Sequence, residues 1–127
     1  MQEKKLEQLM TINEQLMKKN QYAHQFFVET VKKDESYEPN FYETVKPFTD
    51  EITSLTSIWK GLALTFIHEY KPNQIFPNQI DQTVDNFENV AIKTFYPKTS
   101  LKIQLETYKS VAYVLNQLSD ALKTKGN

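Results

Sequence analysis

ITSLTSIWKGLALTFIHEY, residues 52–70, decides the fold. Ile52, Leu55, Trp59, Leu62, Phe66 and Tyr70 recur at steps of three and four, the spacing that puts side chains on one stripe of an α-helix. Pro72 stops the pattern, because proline has no N–H to continue the hydrogen-bond ladder. The Trp-x-Gly sequence at Trp59–Gly61 also occurs as a turn in small secreted helical hairpins. Here the periodicity runs through it unbroken, so Trp59 is expected in the core, where its large ring suits burial. Gly61 costs about 1 kcal/mol relative to alanine inside a helix, and the expectation is that it lets a neighbouring helix approach closely.

Three further blocks carry the same spacing. Upstream, Leu9, Ile12, Leu16, Ala23, Phe27 and Thr30 form a stripe with one polar turn at Asn20, and Lys32 and Lys33 suit the negative end of a helix dipole. Downstream, Ile80, Val84, Phe87 and Ala91 form a shorter block that stops before Pro97. The last block runs Leu101, Leu105, Tyr108, Ala112, Leu115 and Leu122, with Thr99 or Ser100 as N-cap and Gly126 as a stop. Alternating strand patterns are scarce. The expected fold class is all-α, a four-helix up-and-down bundle. It forms one domain over residues 1–127, with helices at roughly 3–33, 40–70 with a break near 47, 78–96 and 100–124.

The joint before the second helix, SYEPNFYETVKPFTDEI at 36–52, is dense in aromatic and acidic residues. Lys46 precedes Pro47, a position pushed out of the helical region, while Pro47 suits the first turn of a helix. Asp50 and Glu51 then favour its positive end. The stretch reads as a short helix started at Pro39, a kink at Pro47 and the main helix, with Phe41, Val45 and Phe48 covering the open end of the bundle. Tyr37, Tyr42 and Glu43 are less easily explained in this way. Tyr42, Glu43 and Lys46 form the candidate binding patch, since tyrosine is favoured at binding hot spots. The structural alternative is that they only cap the bundle.

Composition narrows the function. The chain has 127 residues, enough to bury roughly two-thirds of its unfolded surface without covalent staples. It has no cysteine, which excludes disulfides, thiolate metal sites and cysteine catalysis. The charged N-terminus MQEKKLEQLM lacks the apolar region of a signal peptide. The longest apolar stretch, GLALTFI, is far short of the roughly 20 residues a spanning helix needs. A cytoplasmic location is expected. All 15 basic residues are lysine, and the lack of arginine argues against nucleic-acid recognition. Net charge is −1, but it is uneven: residues 34–58 carry −5 and residues 98–127 carry +3, as if oppositely charged helix faces were neighbours. Acidic residues among the lysines of the first and last helices weaken any attraction to anionic membranes.

Catalytic motifs fail in turn. Neither His24 nor His68 sits in the Glu-x-x-His spacing of bundle metal sites, there is no glycine-rich phosphate loop, and no serine or threonine is marked as a nucleophile. No catalytic residue, metal or cofactor is therefore expected. The reading is a non-catalytic interaction or accessory protein whose partner is another protein, itself a monomer or weak homodimer. The alternative is a small-ligand binder or enzyme with a pocket between the helices, lined by Trp59, Phe66, Phe87, Tyr108 and Tyr113.

FYETVKPF (41–48), IWKGLAL (58–64) and YKPNQIFPNQIDQTVDNF (70–87) resemble the YppE-like family of small proteins from low-GC Gram-positive bacteria. The similarity runs from about residue 37 to the end of the last helix, and the first helix matches only in pattern. The resemblance implies an all-helical four-helix bundle and carries no activity or functional residues with it. The absence of arginine departs from what relatives are expected to show.

Overall fold

The computed structural model of the chain describes residues 1–124. Four helices are present among them: α1 (Glu3–Phe26), α2 (Lys46–Tyr70), α3 (Pro77–Lys93) and α4 (Leu101–Thr124). α1 packs on α2 and α4, and α3 packs on the same two, so consecutive helices are neighbours and α4 closes the ring onto α1. This is the expected up-and-down bundle. α2 and α4 consequently face each other only across a diagonal. The acidic start of α2 and the lysine-rich α4 are not the neighbouring faces that the charge pattern suggested. Glu51 instead meets Lys19 of α1 at 2.7 Å.

The first three stripes largely bury as their period dictates; in α4 the buried face runs through Gln104, Val111, Val114 and Leu118, and the expected Leu105, Tyr108 and Ala112 are only partly buried. Leu9, Leu16, Trp59, Phe66, Ile80, Phe87, Leu115 and Leu118 are all fully buried in one continuous core. The exceptions are informative. Leu101 is half exposed, and the inward face of α4 begins at Gln104. Gly61 faces open space, where a Cβ would meet no atom within 4 Å. It serves no close helix approach, contrary to expectation. α3 ends at Lys93, three residues short of the predicted limit, with Thr94 as its C-cap.

The termini of the helices follow their local chemistry. The Ser100 hydroxyl accepts from Ile103 N–H at 3.0 Å, which makes Ser100 the N-cap of α4. At the start of α3, the Phe76 N–H donates to Gln79 Oε1 at 2.8 Å, the reach-back half of a capping box. α2 ends on Lys71 in the left-handed region (φ 48°), whose N–H donates to Ile67 O, just before Pro72. The stop expected at Gly126 lies outside the described residues.

Two wide turns interrupt the helices at one end of the bundle. α1 runs into a π-type turn at Phe27–Val31, and a second at Phe41–Val45 leads into α2. The predicted break before Pro47 takes this form. Lys46 keeps helical dihedrals (φ −62°, ψ −48°) and is not expelled from the helical region. The reason is steric: the proline ring would strike the carbonyl four residues back in a regular helix. A turn closed by i→i−5 bonds (Val45 N–H to Asn40 O, Lys46 N–H to Phe41 O) is wider and moves that carbonyl aside.

Candidate functional site

The predicted patch occupies the second wide turn and the first turn of α2. Asn40 caps the turn: its Oδ1 accepts from Glu43 N–H at 3.0 Å and its Nδ2 donates to Glu43 Oε2 at 3.2 Å. Lys46 reaches Asp50 at 2.7 Å, an exposed i,i+4 pair worth a few tenths of a kcal/mol. Two of the three residues are thus tied locally. Tyr42 is not: it is 78% exposed, and its ring stands edge-on to Phe41 at 5.2 Å. Phe41 is itself half exposed and does not cover the bundle end. Val45 and Phe48 do that, buried as expected. Sequence reasoning therefore placed Phe41 on the wrong side of the turn, where it joins Tyr42 as an outward aromatic pair.

At the same joint lies an aromatic plug. Phe26 and Phe48 both pack on Phe95, at 5.5 and 5.4 Å, Tyr37 stands edge-on to Phe26, and Tyr22 touches Phe26 and Phe48. Tyr37 is explained by this plug: its hydroxyl donates to Phe95 O at 2.8 Å, which pins the 36–40 segment to the end of α3. Burial raises the Tyr37 phenol above its ordinary pKa, with smaller contributions from Tyr96 and Tyr22. Asp34, one turn earlier, is lowered by the Ser36 hydroxyl and then by the Ser36 N–H, both of which donate to its carboxylate. The stretch is a stitched joint carrying one exposed aromatic pair.

A second constellation was not anticipated. The interface of α1 with α4 and α2 holds a seam of buried amides. Asn13 accepts from Trp59 Nε1–H at 3.0 Å and donates to Leu115 O at 2.9 Å, linking three helices from one side chain. Two turns on, Asn20 donates to Tyr108 O at 3.1 Å. One further turn on, His24 Nδ1 lies 2.8 Å from Gln104 Oε1, and its ring stacks on Tyr108 at 4.2 Å. Asn13, Asn20 and Gln104 are each at most 4% exposed. At such burial an unpaired amide is costly, so these contacts fix the register of α1 against its neighbours.

The proposed ligand lining divides. Trp59, Phe66 and Phe87 are fully buried and packed. Tyr108 and Tyr113 instead line open surface grooves: one of about 240 Å³ between α1 and α4 with Met17, Asn20 and Asn116, the other of about 490 Å³ between α3 and α4 with Gln82 and Lys109. Neither groove reaches Trp59, Phe66 or Phe87. Among the described residues no three His, Asp or Glu side chains gather where they could hold a metal ion, and no helix is long and apolar enough to cross a membrane.

Comparison with known proteins places this geometry among a set of similar chains. The family model described as a bacterial domain of unknown function (DUF1798) matches residues 13–122. The uncharacterized protein YppE of Bacillus subtilis is 25% identical over 114 residues, covering 90% of this chain and 91% of that protein. A crystal structure of a protein of unknown function from Listeria innocua superposes with a TM-score of 0.85 at 26% identity, over 95% of both chains. A domain from Staphylococcus aureus superposes with a TM-score of 0.78 at 25% identity, over 91% of this chain and 96% of that one.

Proposed function

The chain belongs to the DUF1798 family of bacterial domains, and with that as premise we propose that it is a non-catalytic cytoplasmic interaction protein. Its contact surface is the wide turn at the start of α2, and its partner is another protein. The observation that carries this reading is the Phe41–Tyr42 pair, two adjacent aromatics 50% and 78% exposed on a turn whose other side chains are already held. Exposed aromatic area is the largest source of contact energy a surface can offer, and tyrosine and arginine dominate interface hot spots. The pair is also pre-ordered. Asn40 fixes the turn and the buried Val45 and Phe48 anchor its exit into α2, so little conformational entropy is left to lose on binding. Glu43 and Lys46, on the same exposed side, supply the polar rim.

The test is affinity capture from native extract at physiological salt, with the wild type beside a Phe41→Ser/Tyr42→Ala variant shown by circular dichroism to be folded. A partner retained by the wild type and lost by the variant supports the reading, and its affinity measured with purified components should fall at least tenfold. If wild type and variant retain the same proteins, or neither retains any, the turn is only a joint.

A further inference from the structure

At the C-terminal end of α3 the structure leaves two buried polar groups, both on residues that line one small cavity. Thr94 is fully buried and Gln104 is 4% exposed. Thr94 Oγ1 and Gln104 Nε2 have no hydrogen-bond partner among the described residues. Both side chains line the same cavity between α3 and α4, together with Asn89, Val90, Ile103 and Thr107. Its volume is about 10 Å³, at the lower edge of the roughly 10–15 Å³ that one water molecule needs.

Several features show that the two groups do not simply satisfy each other. The Gln104 Nε2 and the Thr94 hydroxyl are a competent donor and acceptor, yet no bond joins them. Gln104 cannot turn away to find another partner, because its Oε1 is engaged by His24 Nδ1 at 2.8 Å. Exchanging the amide oxygen and nitrogen leaves the gap in place, since the atom facing the cavity occupies the same position. Nor does the Thr94 hydroxyl bond back to its own helix, as Thr56, Thr83 and Thr107 do to the carbonyls four residues earlier. A buried hydroxyl and a buried amide left in this way are rare in proteins and expensive.

We infer that this cavity is a binding site for one ordered water molecule, which bridges α3 to α4. Thr94 Oγ1 and Gln104 supply two of its partners. Thr107 Oγ1 donates to Ile103 O and keeps a lone pair for a third bond at the cavity rim. Three polar partners is the usual complement of a buried water. The bridge extends the polar seam: from α3 through the water to Gln104, and from Gln104 to His24 on α1. The water is thereby a positioning element for the amide that His24 contacts.

The experiment is a high-resolution crystal structure of the full chain, paired with water-to-protein cross-relaxation NMR in solution. The expected result is one well-ordered water within hydrogen-bond distance of both Thr94 Oγ1 and the Gln104 side-chain amide. In solution it should give long-lived water cross-peaks to the Gln104 amide protons. Thr94→Val, which keeps the shape and removes the hydroxyl, should abolish or strongly weaken those cross-peaks while far-UV circular dichroism stays unchanged. An empty cavity in the crystal, a direct Thr94–Gln104 hydrogen bond, or cross-peaks of equal intensity in Thr94→Val would overturn the inference. The wild-type structure decides the matter even if the variant does not fold.

Discussion

Trp59 and Asn13 form a buried donor–acceptor pair whose energy can be isolated by a double-mutant cycle. In Trp59→Phe the indole N–H is lost and Asn13 Oδ1 is left buried without its donor, which costs about 1–3 kcal/mol. The smaller ring also leaves a void of roughly 40 Å³, adding about 1 kcal/mol at ~24 cal/mol per Å³. The single variant should therefore lose about 2–4 kcal/mol. Asn13→Leu keeps the branching and the number of heavy atoms but strands the Trp59 N–H, again about 1–3 kcal/mol, and removes the donation to Leu115 O. In the double variant neither member is left stranded, and only the void and the lost bond to Leu115 remain. The loss should fall short of the sum of the singles by the two stranding costs together, about 2–6 kcal/mol. Urea denaturation followed by far-UV circular dichroism reads all four proteins, fluorescence being unsuitable because Trp59 is the only tryptophan. Additivity within about 0.5 kcal/mol would refute the claim that the pair is a specific buried bond. Trp59→Ala, which empties the site, should cost about 3–5 kcal/mol.

Gly61→Ala should stabilise the protein by about 1 kcal/mol, because the position is exposed, mid-helix and open around the new methyl group; a loss in the same urea assay would mean that a neighbour does come close. Tyr37→Phe should cost about 1 kcal/mol at neutral pH through the lost bond to Phe95 O. Its pH dependence has a definite sign. The folded state raises the Tyr37 pKa, so the neutral phenol is favoured on folding. That stabilisation is complete below the unfolded value of about 10 and is lost as pH rises through the folded value. The gap between wild type and Tyr37→Phe should be constant below about pH 9 and shrink above about 10; a gap that does not change with pH would show that the phenol is not held in its neutral form.

Features carried by local rules were legible in the sequence. The stripe through Trp59, the stop at Pro72, the Ser100 cap and the interruption before Pro47 each depend on residues within a turn or two. What was missed depends on distant partners. Asn20 reads as a polar break in the first stripe. It is buried because the Tyr108 carbonyl, 88 residues away, accepts its proton. Asn13 and Gln104 look like surface residues for the same reason. A one-dimensional pattern scores an amide as polar and carries no sign of the group that will satisfy it. The placement of Phe41 failed differently: a wide turn shifts the helical phase by about one residue, so the side chain that a regular helix would turn inward is left outside. Glu43 and Lys46 could be read from sequence only as neighbours of Tyr42, and the local bonds that tie them to Asn40 and Asp50 became visible only in the structure.

The amide seam also bears on how the chain reaches its native state. Its contacts to α4 span separations of 80, 88 and 102 residues in a chain of 127. Closing so large a loop carries the highest entropic cost in the bundle, while each hairpin of adjacent helices closes a short one. Docking of α1 against α4 is thus expected to come late in folding, and mutations in the seam should change the unfolding rate more than the folding rate. A collapsed chain that docks α1 one turn out of place strands several amides in apolar surroundings and stays marginal. Hydrophobic stripes alone would tolerate that slip, so the polar residues in the core act as a proofreading step on the way to the folded protein.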